Sequence, residues 1–156
     1  EVKRMESLGC ELGNHTYSHV DLTTLAPEDM SAEIAGVDED LVNLVGHGAT
    51  VLRPPYGNIN DSVRSTVGTP MILWSIDTLD WETQDASQIT EAVMSQVQDG
   101  SIILMHDIFS TSVDAAEIFI PKLIEEGYQL VTIHELAKIK GTELTTGIAY
   151  GDFTGQ

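Results

Sequence analysis

SIILMH, residues 101–106, decides the fold: four consecutive apolar residues stand between Ser101 and His106, with no polar alternation. A strand that alternates apolar and polar residues has one wet face. A strand that does not is covered on both, as in a parallel sheet with helices packed on each side. The flanks agree. Residues 87–97 carry Ile89, Val93 and Val97 at helical spacing, with Ser87 read as the cap and Gly100 as the stop. Residues 112–126 read as a second helix closed by Gly127.

Outward from this unit the same rhythm recurs. PMILWSI (70–76) reads as one buried strand with Trp74 in the core, and residues 11–14, 50–52 and 129–132 read as shorter strands. Residues 26–45 read as a long helix: Pro27 suits the first turn, Glu28 and Asp29 suit its positive end, and Met30, Ile34, Val37, Leu41, Leu44 and Val45 form the stripe. Residues 1–8 read as the tail of an amphipathic helix through Val2, Met5 and Leu8 with Gly9 after it. Short helices are expected from Asn60 or Asp61 to Val67 and over 134–139. Strands joined through helices make a parallel sheet, open or closed into a barrel, so the fold class is α/β. No linker or repeat divides residues 1–156, which are read as one domain.

Seven Lys+Arg against twenty-five Asp+Glu leave a net charge of −18, and 42% of residues are hydrophobic. That balance excludes nucleic acid and anionic membrane surfaces as partners and keeps neutral or cationic ligands open. No run approaches the roughly 18 apolar residues of a membrane span, so membrane insertion is not expected. Cys10 is the single cysteine, which excludes an internal disulfide and a Cys-rich zinc site.

Parallel sheets gather ligands at the carboxyl ends of their strands. His15, Arg53, the stretch Asp77 to Trp81, and His106-Asp107 each follow an expected strand. His15 and His19, four apart, are read as two ligands of one metal or as a capping or surface pair. Two histidines leave a four-coordinate metal short, so a carboxylate and a water are expected with them. His106 is read as a satisfied structural residue or as a general acid or base, with a carboxylate from Asp77 or Asp80 to hold its proton. Arg53, set before two prolines, presents a planar fork suited to a carboxylate, and Tyr56-Gly57 offers a backbone N–H in fixed geometry. His47 and His134 belong to no constellation and are read as structural or exposed.

Taken in this order, HTYSH (15–19), RPPYG (53–57), DTLDW (77–81) and LMH (104–106) resemble the motifs of the polysaccharide deacetylases of the NodB-homology type, carbohydrate esterase family 4. The resemblance runs from about Met5 to Leu136 and implies a distorted (β/α) barrel. It implies metal-dependent removal of acetyl groups from N-acetylglucosamine polymers such as peptidoglycan or chitin, or from acetylated xylan. By the same resemblance His15 and His19 bind the metal, Zn first with Co, Ni or Mn as alternatives, and Arg53 orients a catalytic aspartate. Tyr56 gives an oxyanion N–H, Asp80 tunes the acid, Trp81 and Leu104 wall the acetyl pocket, and His106 is the general acid.

One departure stands out. The family's first motif, resembling TFDDG, carries the base and the third metal ligand, and the acidic residues before His15 are only Glu1, Glu6 and Glu11. The resemblance therefore implies that one or more N-terminal strands are missing and that the isolated chain is poorly active. Its partners would be the acetylated polysaccharide and that N-terminal segment, and its place outside the cell or at the wall. The alternative is a catalytically silent carbohydrate-binding domain of the same fold.

Overall fold

Parallel pairing, which the apolar run at 101–105 demands, is what the strands show. A computed structural model describes residues 1–155. Along the chain come α1 (Val2–Ser7), α2 (Pro27–Val45), α3 (Asp61–Thr66), β1 (Met71–Ile72), β2 (Ile76–Asp77) and α4 (Asp80–Thr83). After these follow α5 (Ala86–Gln96), β3 (Ile103–Leu104), α6 (Ser110–Glu125), α7 (Ile133–Ile139) and β4 (Ala149–Tyr150). The described residues form two compact units, one made of Glu1–Leu73, Thr132–His134 and Thr142–Tyr150, the other of Trp74–Val131, Glu135–Gly141 and the residues from Gly151.

In the first unit Asn14 bridges Leu52, Leu52 bridges Met71, and β1 pairs with β4, all in parallel. Residues 11–14 and 50–52 thus lie where strands were expected, each reduced to a single bridge. Leu22, Met30, Leu52, Val63, Val67 and Met71 are almost wholly buried together, each removing roughly 1.5–3 kcal/mol worth of apolar surface from water. Of the α2 stripe only Met30 and Leu41 are fully buried, and Leu44 is 43% exposed. The α1 stripe is not core at all: none of its residues is buried. Asn60 caps α3 by accepting the Val63 N–H at 2.9 Å.

In the second unit β2 pairs with β3 in parallel, and α5 packs on α6 through Ile89, Val93, Ala115, Phe119 and Leu123. The cap of α5 is Asp85, not Ser87, because the carboxylate takes the N–H groups of both Ser87 and Gln88. The Ser87 hydroxyl, which also donates to Asp85, together with those N–H groups holds its pKa at about 2. Pro121 is tolerated inside α6 because it and Glu117, whose carbonyl loses its helical partner, are both exposed to water.

Three further expectations are overturned. The 70–76 run is not one strand: after Leu73 the backbone leaves the β4 ladder, where Leu73 N–H meets the Tyr150 carbonyl, and from Ser75 it bonds to Ile102. Trp74, at that change of partner, is only half-buried. Residues 129–132 form no ladder, and Leu130 stands 49% exposed. The final strand is instead β4, beyond the last element anticipated. Among the described residues no helix is long and apolar enough to cross a membrane.

Candidate active site

Parallel neighbours release their chains at the same end, and in each unit this brings two motifs together. In the first, His15 leaves the segment paired with the one that Arg53 leaves, and His15 Nδ1 meets the Arg53 carbonyl oxygen at 2.6 Å. A carbonyl only accepts, so Nδ1 carries the hydrogen and, in the neutral ring, Nε2 carries the lone pair. His19 closes the turn with its ring edge-on to that of His15, centroids 4.8 Å apart at 75°. An ion roughly 2.0–2.1 Å from one nitrogen of each ring, at tetrahedral or octahedral angles, sets ring centres roughly 4.5–5.2 Å apart. The pair therefore fits a shared divalent cation. Among the described residues no group of three or more His, Cys, Asp or Glu converges as a metal-binding cluster.

The turn is bolted to α2. Asn14, 2% exposed, donates from Nδ2 to the Ile34 carbonyl (2.9 Å) and to Asp38 Oδ1 (3.1 Å), and its Oδ1 accepts the Thr16 N–H (2.9 Å). Glu33 takes the Ser18 N–H at 2.8 Å and its hydroxyl, which together hold the Glu33 carboxyl below its usual range. The Tyr17 ring lies over Gly36, where an added Cβ would come within 3.1 Å of it. Reading the sequence alone missed Asn14, Glu33 and Asp38. The available signal was Gly36, a residue that costs a helix stability unless something must approach there.

Backbone carbonyls fix the Arg53 guanidinium. Its Nε and one terminal nitrogen donate to the Ile72 and Leu73 carbonyls at 3.3 Å each, and burial lowers its pKa from the usual arginine value. Tyr56 has φ 60°, its hydroxyl donates to the His19 carbonyl at 3.4 Å, and its ring stands 5.0 Å from that of His19.

In the second unit β2 delivers Asp80 and β3 delivers His106. Asp80 is wholly buried. Its Oδ1 accepts His106 Nδ1–H at 2.8 Å and the Trp81 N–H at 2.9 Å, and its Oδ2 accepts the His106 N–H at 2.6 Å and the Ser112 hydroxyl at 2.7 Å. Burial alone pushes its pKa up, but the His106 and Ser112 hydrogen bonds outweigh it and the net shift is downward. Between the two carboxylates left open by the sequence, geometry selects Asp80, since Asp77 caps its own turn by accepting the Leu79 N–H. Trp81 is 50% exposed and Leu104 8%. Thr78, buried, donates to the Leu104 carbonyl at 2.9 Å.

Backbone strain marks the same motifs. Among the described residues five non-glycine residues have positive φ, of which Thr16 and His19 lie in HTYSH, Tyr56 in RPPYG and Leu79 in DTLDW. Such conformations cost of order 1–3 kcal/mol each and gather where function demands them. His47 and His134 lie elsewhere, exposed and paired with Glu6 and Glu11.

Comparison with known proteins gives the family. Residues 1–69 match the family model described as polysaccharide deacetylase. The chain is 42% identical over 88% of its length to the peptidoglycan-N-acetylmuramic acid deacetylase PdaC of Bacillus subtilis, of which it covers 29%. It spans a similar share, 32%, of the peptidoglycan-N-acetylglucosamine deacetylase PgdA of Listeria monocytogenes, to which it is 36% identical over 98% of its length. The solved T48 deacetylase with substrate shares 37% identity and a TM-score of 0.91, over 96% of this chain and 74% of that one. A family 4 acetyl xylan esterase from Clostridium thermocellum, solved with cobalt, shares 28% identity and a TM-score of 0.90, over 97% of this chain and 76% of that one. The α/β fold is therefore that of the carbohydrate esterase family 4 domains, and the chain belongs to the polysaccharide deacetylase family.

Proposed function

We propose that this chain takes part in the metal-dependent hydrolytic removal of acetyl groups from a polysaccharide. The observation that carries the reading is the His106–Asp80 pair: a wholly buried carboxylate accepts Nδ1–H at 2.8 Å, which makes Nε2 the ring atom that delivers or accepts a proton. A divalent cation on His15 and His19 would supply Lewis-acid polarisation and an activated water.

The chain's own residues do the rest. His106 gives its Nε2 proton to the leaving amine or alkoxide as the acetyl–heteroatom bond breaks, and Asp80 balances the imidazolium charge before that transfer. Tyr56, fixed behind two prolines, supplies an N–H for the developing oxyanion. Trp81 and Leu104 line the pocket for the acetyl methyl, and Arg53, held by two carbonyls, orients a carboxylate near the pair of histidines.

The relatives' names supply the substrate classes: peptidoglycan for PdaC and acetylated xylan for the Clostridium enzyme. Zinc is our choice of metal, with cobalt, nickel and manganese as alternatives for a site of imidazole nitrogens. Polymers of this kind lie outside the cell, which is where we place the protein. The test is acetate release by the full-length protein, loaded with Zn²⁺ or Co²⁺, from acetylated chitooligosaccharides, peptidoglycan and acetylxylan. We expect release from one class, abolished by EDTA and by H106A. Metal retained with no acetate from any substrate would overturn the proposal, and saccharide binding without metal would identify a silent binding module.

A further inference from the structure

One buried donor beside the proton-transfer pair has no part in the scheme above. Ser112 is 1% exposed, lies in the first turn of α6, and donates to Asp80 Oδ2 at 2.7 Å. A carboxylate has about four lone-pair positions, and at Asp80 four donors fill them, two on each oxygen. Two of the four belong to His106 and one to the Trp81 backbone. Among the described residues Ser112 alone reaches Asp80 as a side chain from another helix.

We propose that Ser112 is a positioning residue for the proposed deacetylation, holding the Asp80 carboxylate in the rotation that keeps His106 Nδ1 bonded and Nε2 presented for proton transfer. The inference rests on the deacetylase reading of His106. Its physical content lies in the carboxylate's freedom. Without the hydroxyl, Oδ2 keeps a single donor on one side and the group can swing about χ2, which lengthens the Nδ1–H···Oδ1 bond. Helix α6 makes the placement rigid: its first turn begins four residues after His106, and Ser112 N–H is anchored on the Phe109 carbonyl at 3.1 Å.

The experiment compares S112A, S112C and S112T. The first two remove the strong donor, with cysteine filling the space should alanine fail to fold, and S112T keeps a hydroxyl. Steady-state kinetics should show kcat reduced roughly 10–100-fold in S112A and S112C, the range of one lost bond to a charged acceptor, with KM unchanged and much of the loss restored in S112T. Nitrogen NMR of the imidazole in the substrate-free protein should show His106 leaving the single Nδ1–H form, with faster solvent exchange at Nδ1. A merely structural serine would lower the melting temperature without moving the kcat-to-KM split or the tautomer. Wild-type kcat and an unchanged His106 signal in S112A or S112C would overturn the proposal. If the wild-type protein releases no acetate, the deacetylase reading fails, and the NMR comparison still decides whether Ser112 fixes the pair.

Discussion

Replacing Asn14 by alanine tests whether the His15–His19 turn is held from α2. The residue is 2% exposed, and its side chain makes three hydrogen bonds, to the Ile34 carbonyl, Asp38 and the Thr16 N–H. Alanine leaves the Thr16 N–H, on a residue 8% exposed, without that acceptor, at a cost of about 1–3 kcal/mol. Losing the bond to the charged Asp38 adds roughly 1 kcal/mol, moderated because Asp38 Oδ1 keeps the Ala49 N–H at 3.1 Å. The Ile34 carbonyl, inside a helix, loses only a second donor. The total is about 3 kcal/mol, which for a chain of this length lowers the melting temperature by roughly 6–12 °C.

N14D separates contact from volume. It keeps an acceptor for Thr16 but sets a second carboxylate about 3 Å from Asp38, as judged from the bond it replaces. Its destabilisation should grow as pH rises through the carboxylate range and shrink below it, whereas that of N14A should stay flat. Thermal melts from about pH 3.5 to 7.5 check this, and calorimetry with Co²⁺ should show N14A weakened roughly 10–100-fold, the usual cost of losing a support behind a ligand. An N14A melt within about 2 °C of wild type, with unaltered Co²⁺ affinity, would refute the reasoning.

At Asp80, D80N faces four donors with one acceptor oxygen and should cost about 2 kcal/mol or more. Because the folded pKa of Asp80 is lowered, its contribution is whole above the ordinary value of 3.8 and fades as pH falls through the folded value, so the wild-type-minus-D80N gap in urea unfolding should narrow only there. His47 has the opposite sign: the Gly48 carbonyl, then Glu6, raise its pKa, so the pairing stabilises at low pH and is lost as pH rises past the folded value. The melting gap between wild type and E6Q should therefore be open near pH 5.5 and closed by about pH 8.5, and a constant gap would contradict the pairing. Gly100, at φ +100°, would place a Cβ 2.5 Å from the Phe153 carbonyl atoms, whereas at Gly127 (φ +92°) nothing lies within 4 Å. G100A should cost about 3 kcal/mol or more and G127A only about 1–2, so equal melts for the two would show that the contact is not tight.

Residue type and order alone determined that the chain builds parallel pairs, that helices follow them, and which four motifs stand at strand ends. Those features are local: apolar runs, helical spacing and proline or glycine punctuation act within a dozen residues. The same reasoning singled out His15, His19 and His106 as candidates, because imidazoles after strands are conspicuous. It did not find Asn14, Glu33 or Ser112, which are common polar residues whose meaning depends on partners 24, 15 and 32 positions away. It left Asp77 and Asp80 equal, and read 70–76 as continuous, for one reason: hydrophobic pattern reports burial but not which neighbour a backbone bonds. Only tertiary structure supplied those neighbours, because buried donors and acceptors must be matched in space, and the match selected Asp80 for His106 and broke the strand after Leu73.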